Sequence, residues 1–312
     1  MMMSMNTTQY ENPLPAVREP LGALHAECPV CGAVGGGAVG ETCEVTSNVR
    51  AFTEERFRLW RCARCRSIHA RDEVDLAHYY SRYPFFDLPL DWRLRFAYEE
   101  QLRRLEAAGL KHDDRILDYG CGGGAFLCYL TEKGYPNVAG FDAYNPQFSS
   151  DAVLRGRYDC VLSQDVLEHV ADPRALLDRY HELTRPGGLI AIGTPNASAI
   201  DLGRAEEYRH TLHAPYHRHI FSRAALLGAG VERCWSLVHY YATQYANTRV
   251  PFLNSPFYLF FMRTQDDTLD CLLEQPPQIG PLLGQLPAAL FWGMCGSYRA
   301  EETDVMAVFR RR

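Results

Sequence analysis

Ile116-Leu117-Asp118-Tyr119-Gly120-Cys121-Gly122-Gly123-Gly124 is the stretch that decides the fold. A short apolar strand over residues 115–119 runs into a glycine turn, and the turn opens a helix expected over 124–133 and closed by Gly134. Glycines in such a turn reach left-handed dihedrals and let a ligand lie on bare main chain. The helix N-terminus adds unpaired N–H groups that suit a carboxylate or phosphate. Further on, a second strand over 138–141 ends at Asp142, where a carboxylate can accept both hydroxyls of a ribose. The pattern suits a nucleoside carrying an anionic group. The spacing is Gly-x-Gly-x-Gly, which disfavours a nicotinamide dinucleotide, although Ala125, where the third glycine of a dinucleotide fingerprint falls, is a tolerated substitute.

Outward from this loop the chain alternates strands and helices. Strands are expected at 160–163, 189–193, 237–241 and 305–310. Helices are expected from Asp91 to about residue 108, after Asp172-Pro173, and after Ser222. Such alternation implies a parallel α/β sheet covered by helices on both faces. Residues 1–20 read as a flexible tail and 21–72 as a small cysteine-bearing module. Residues 73–112 read as an aromatic and helical connector capping the cofactor site, and 113–312 as the main domain. An insertion over about 242–300 reads as a lid or a dimer surface.

The chain has 312 residues, 47% of them hydrophobic, enough for one large core and a small one. A net charge of −6 argues against the broad positive field of a protein that grips nucleic acid. The apolar runs at 256–262 and 286–296 are too short to span a membrane. Eleven cysteines, an odd number, with no secretory leader point to reduced thiols in the cytoplasm. Four of them form two CxxC pairs, Cys28/Cys31 and Cys62/Cys65, with the spacing that brings four thiolates to one tetrahedral Zn²⁺. His25, Cys43 and His69 are expected to be bystanders. A closed four-ligand site leaves no open position, so the zinc is expected to be structural.

Asp118-x-Gly120-x-Gly122-x-Gly124, Asp142, the run from Tyr158 through Gln164-Asp165 to Leu167-Glu168-His169-Val170, and Arg185-Pro186-Gly187-Gly188 followed by Thr194-Pro195-Asn196 occur in that order. Together they resemble the motifs of the class I S-adenosylmethionine-dependent methyltransferases, over about 113–235 plus the final strand. The resemblance implies a Rossmann-like sheet ordered 3-2-1-4-5-7-6 with strand 7 antiparallel, and S-adenosylmethionine as cofactor. It further implies that residues 120–124 hold the methionine end, that Asp142 binds ribose, and that Gln164 or Asp165 lines the cleft. The Leu-Glu-His-Val ending is typical of small-molecule members such as quinone O-methyltransferases, where Asp165, Glu168 and His169 match a metal-binding trio. One departure is a short link. Residues 143–158 leave room for only a stub of a helix and third strand, and Asp151 is the candidate adenine contact. Zinc knuckles precede similar domains in sugar C-methyltransferases and in certain ribosomal RNA methyltransferases.

Methyl transfer mainly requires alignment of acceptor and cofactor, and an oxygen or carbon acceptor also needs its proton removed. The segment His210-Thr-Leu-His213-Ala-Pro-Tyr216-His217-Arg218-His219 follows the fifth strand. It resembles the Tyr-His-Glu-His stretch of the sugar C-methyltransferases, which implies His219 as base with His217 and Tyr216 beside it; Arg218 replaces the glutamate. Tyr79, Tyr80 and Tyr83 either fold over the cofactor mouth or fasten the module to the core. The expected activity is methyl transfer to a small natural-product, sugar or quinone-like acceptor, with a homodimer as one option for the assembly. The alternative is an RNA methyltransferase that grips RNA with the zinc module.

Overall fold

The computed structural model describes residues 27–84, 89–274 and 279–312. The expected tail at 1–20 and His25 lie outside the described residues. The chain starts with β1 (Val39–Thr46), β2 (Arg56–Cys62) and β3 (Ile68–Ala70), an antiparallel meander. Two helices follow, α1 (Leu76–Tyr80) and α2 (Trp92–Ala107). The Asp91 carboxylate caps α2 by accepting the Leu94 N–H at 2.9 Å. Then come β4 (Ile116–Tyr119), α3 (Ala125–Glu132), β5 (Val138–Phe141), β6 (Tyr158–Gln164), α4 (Pro173–Leu183), β7 (Thr184–Pro195) and α5 (Arg209–Leu212). After these lie β8 (His219–Ile220), α6 (Arg223–Glu232), β9 (Trp235–Tyr241), α7 (Ser255–Thr264), α8 (Gly280–Leu283), α9 (Leu286–Cys295) and β10 (Asp304–Arg311).

The main sheet has the order β5-β4-β6-β7-β10-β9, with β10 antiparallel to both neighbours. β6 is buried along all but its last residue, as its unbroken apolar run requires of a central parallel strand. The order reproduces 2-1-4-5-7-6 of the expected arrangement. The expected third strand is missing among the described residues: 143–158 form turns and one short 3-10 turn, Val153–Arg155. A parallel crossover needs about a dozen residues before its strand begins, and this link has no room for one. β4 feeds β5 on one side while β6 lies on the other, so the chain reverses direction of progress between them. That crevice, at the strand carboxyl ends, is where α/β sheets place ligands.

The cysteine module is built into the main domain. β8 pairs with β3, matching Ile68 to Ile220 and His69 to His219. Val45, Phe57, Leu59 and Ile68 share one buried cluster with Leu212, Ala214, Tyr216 and Ile220. The buried Arg61 of β2 donates to the carbonyls of Ala197 (2.8 Å), Ile200 (2.6 Å) and Arg66 (3.1 Å), and meets Glu41 at 3.2 Å. Ser222 does two jobs: its hydroxyl caps α6 by accepting the Ala225 N–H and donates to the Cys65 carbonyl at 2.6 Å. Removing Arg61 takes this donor from the carbonyls of the buried Ala197 and Ile200. Arg61→Met is therefore expected to cost about 3 kcal/mol in urea denaturation; a loss below about 0.5 kcal/mol would show the tie to be dispensable.

Candidate functional site

The glycine loop leaves β4 with three left-handed glycines, each serving a different need. At Gly120 (φ 85°) an added Cβ would sit 2.1 Å from Val166 Cγ2. At Gly124 (φ 79°), the N-cap of α3, it would sit 2.6 Å from the Phe148 ring. At Gly122 (φ 52°) it would meet nothing within 4 Å. Two glycines thus answer to packing, and the middle one presents bare backbone to open space.

That space is a cavity lined by Asp118, Gly120, Gly122, Gln164 and Asp165, all residues expected from sequence. Gly124 lies outside the lining, under Phe148. The cavity also takes Tyr98 and Gln101 from α2 and Tyr245 from the start of the insertion. These three were not foreseen. A signal existed for α2, where a buried Gln101 three residues after Tyr98 puts two polar groups on one helical face; Tyr245 stands in a stretch without periodicity. Burial, and Asp142 nearby, push the Asp118 carboxyl up to about 7. Asp165, at the open mouth, is raised by the surrounding cleft and by Asp304. The buried Gln164 Oε1 has no partner.

Asp142 follows β5, and its carboxylate faces the glycine loop without lining the cavity. Oδ2 accepts the Gly122 N–H at 3.0 Å, and Oδ1 accepts the N–H groups of Tyr144 (2.9 Å) and Asn145 (3.1 Å). Asn145 returns a bond from Nδ2 to the Gly122 carbonyl at 2.8 Å. Asp151 is exposed and does not line the cavity.

Tyr79, Tyr80 and Tyr83 line no part of that cavity. Tyr79 packs against Phe52 and Phe57 in the module, whereas Tyr80 stacks on Tyr144, with ring centroids 6.0 Å apart. The three candidates for the base separate. His219 faces the module: Nδ1 lies 3.2 Å from His69 Nδ1, and Nε2 lies 3.3 Å from the Ala171 carbonyl. Tyr216 is fully buried and donates to the Tyr79 carbonyl at 3.1 Å. His217 meets Glu168 and His169 instead, and these three bring one ligand atom each to within 4.8 Å of one another. Asp165, expected in a trio with Glu168 and His169, is not part of that group; it sits at the cavity mouth with φ 55°. Burial drives the His213 and His217 rings well below the ordinary histidine value.

The four cysteines of the two CxxC pairs converge. Cys28 Sγ lies 3.6 Å from Cys65 Sγ, and Cys31 Sγ lies 3.7 Å from Cys62 Sγ. A tetrahedron with Zn–S bonds of ~2.3 Å has edges of about 3.8 Å, so the donors fit zinc in type and spacing. His69 stands behind them, with Nε2 3.3 Å from Cys28 Sγ. Cys43 is not in the group.

A sequence model of the family described as a methyltransferase domain matches residues 91–232. Residues 91–232, a little under half of the chain, thus match a methyltransferase domain. The methyltransferase domain is similar to two proteins named ubiquinone biosynthesis O-methyltransferase. One, from Cereibacter sphaeroides, is 36% identical over 103 residues, covering 26% of this chain and 41% of that one. The other, from Caulobacter sp., is 31% identical over 140 residues, covering 36% and 55%. The chain thus spans about half the length of these curated relatives. A solved S-adenosylmethionine-dependent methyltransferase from Mesorhizobium loti is 16% identical, covers 68% of this chain and 98% of that one, and has a TM-score of 0.41.

The glycines of the methyltransferase domain lend themselves to comparison. Gly120→Ala and Gly124→Ala each place a methyl group inside a neighbour and are expected to lower the melting temperature by several degrees. Gly122→Ala meets only left-handed strain of ~1 kcal/mol. Equal losses at all three positions in thermal unfolding would overturn this assignment.

Proposed function

We propose that the chain transfers the methyl group of S-adenosylmethionine to a small acceptor in the cytoplasm. The observation that carries this reading is the cavity where the bare backbone at Gly122, the acid Asp118 and the unpartnered Gln164 Oε1 face one space. The residues fit the cofactor. A nucleoside with a cationic amino-acid tail needs a carboxylate for its charge, an unobstructed turn, and an acid at the next strand end for its ribose. Asp118, residues 120–124 and Asp142 meet those needs, with Gln164 and Asp165 closing the cleft. Bound there, the cofactor supplies an electrophilic methyl group. The protein's part is to hold the acceptor in line with it and to keep water out, for which Tyr98 and Tyr245 are placed.

The relatives' names point to a hydroxyl on a phenol- or quinol-like ring as the acceptor. Its proton must be taken up during transfer. We assign that task to the group formed by Glu168, His169 and His217, which lies outside the cavity lining, because His219 and Tyr216 spend their polar atoms on other contacts. Those two act as positioning residues for the 210–219 segment.

Calorimetry is expected to show one S-adenosylmethionine, or its demethylated product, bound per chain. Gly122→Val should abolish binding with the fold retained, and Asp142→Ala should weaken it at least tenfold. Unchanged affinity in both variants would remove this cavity from the reaction. Ionisation of Asp118 creates the charge that a cationic tail needs. Affinity should therefore rise between pH 6 and pH 7.5, through the raised value of about 7, and Asp118→Asn should flatten the profile. A parent affinity that falls over the same interval would contradict this role. Incubation with phenolic and quinol acceptors is expected to release S-adenosylhomocysteine; release with sugar acceptors alone would overturn the acceptor class.

A further inference from the structure

Three histidines and one glutamate meet under α1, and their hydrogen bonds fix which atoms are left over. His169 Nδ1 lies 3.0 Å from the Tyr216 carbonyl. A carbonyl only accepts, so Nδ1 carries the proton, shared with the Tyr80 hydroxyl oxygen at 3.1 Å. His217 Nδ1 lies 2.8 Å from the Thr211 carbonyl and carries a proton for the same reason. His213 Nδ1 lies 2.7 Å from Asn48 Oδ1. The Asn48 amide is oriented by its Nδ2, 3.4 Å from His210 Nδ1, while His210 Nε2 lies 2.9 Å from Asp267 Oδ1. All three rings are thereby set as the Nδ1–H tautomer, and each Nε2 is a bare lone pair.

These lone pairs have company. Glu168 is fully buried; Oε2 accepts from the Thr194 hydroxyl at 3.0 Å, and Oε1 is buried with no partner. Its nearest basic atom is His217 Nε2 at 3.9 Å, too far for a hydrogen bond. His213 Nε2 is also buried without a partner. The His213 and His217 rings are 4.8 Å apart, and those of His169 and His217 are 4.9 Å apart. A buried carboxyl oxygen and bare imidazole nitrogens, with no hydrogen bond among them, form an arrangement that is relieved only by a shared proton, which burial of Glu168 favours, or by a metal cation. Rings whose other nitrogen donates to a backbone or amide carbonyl are also the usual form of metal-ligating histidines.

We propose that Glu168 Oε1, His169 Nε2 and His217 Nε2 bind one divalent first-row transition ion, of which Zn²⁺ is the type. The donor set of imidazoles and one carboxylate suits zinc, iron or manganese rather than Mg²⁺. It keeps Glu168 and His169 of the trio that the resemblance implied and puts His217 in the place of Asp165. The three ligand atoms lie within 4.8 Å, and a closure of about an ångström brings them to the ~3.4 Å edges of a tetrahedron with ~2.1 Å bonds. The site is separate from the four cysteines; an ion there takes the lone pairs assigned above to the acceptor's proton, and whether it binds does not depend on which acceptor is methylated.

The test counts and distinguishes the ions. The full-length protein is stripped with a chelator, reloaded with excess Co²⁺, desalted and analysed for metal. Two ions per chain are expected, one with intense thiolate charge-transfer bands and one without them. Cys62→Ser should remove the thiolate bands and keep the second ion. Glu168→Gln and His217→Gln should each keep the thiolate bands and lose the second ion. A single ion per chain in the parent protein, with thiolate bands only, would overturn the proposal even if no variant folds. So would two ions retained in Glu168→Gln and His217→Gln.

Discussion

A two-residue strand is the constraint on which the rest of this molecule depends. β8 joins the sheet of the cysteine module, and the residues before and after it belong to the methyltransferase domain. Through it the module reaches the segment that carries Tyr216 and His217. Two backbone N–H groups, those of Arg218 and His219, in turn donate to the Glu168 carbonyl at 2.7 and 3.1 Å. The β6 loop is thus held to β8, β8 to β3, and β3 to the cysteine cluster. Zinc at the cysteines would then stiffen the acceptor side of the cleft from a distance, by limiting how far the 210–219 segment can move.

The same linkage explains the unusual polarity of the interior. Arg61, His69, Glu168, His213, His217 and His219 are all buried, an expensive set unless each finds a partner. Arg61 and His219 meet carbonyls, and His69 meets a sulfur and another ring. Glu168 and His213 are left with orphaned atoms, which concentrates the unsatisfied polarity of this region at one place.

Much of this architecture was legible in the residues. The glycine loop, the alternation after residue 113, and the helix caps at Asp91, Asp172 and Ser222 stand where periodicity and capping chemistry placed them. The shortage of chain between Asp142 and Asp159 foretold the lost strand, since backbone length is a hard limit. The two CxxC pairs foretold the cysteine cluster because their spacing is itself the geometry. Side-chain direction was not legible. His217 and His219 are two residues apart, and one turns to Glu168 while the other turns to His69. That split follows from strand pairing with a module 150 residues earlier, which no local pattern records. Tyr245 entered the cavity for a similar reason, brought there by tertiary packing of an aperiodic stretch.

The lost third strand leaves β5 at the border of the main sheet, only four residues long. Edge strands offer free amide and carbonyl groups to other chains, and a short one offers few. On this side the backbone turns away at once: the Asp142 N–H donates to the Phe148 carbonyl, and the Phe148 ring lies over Gly124 and Gly140. The trimmed border is therefore a poor template for stacking of one molecule's sheet onto another's. Shortening the link has protected the protein from that form of self-association.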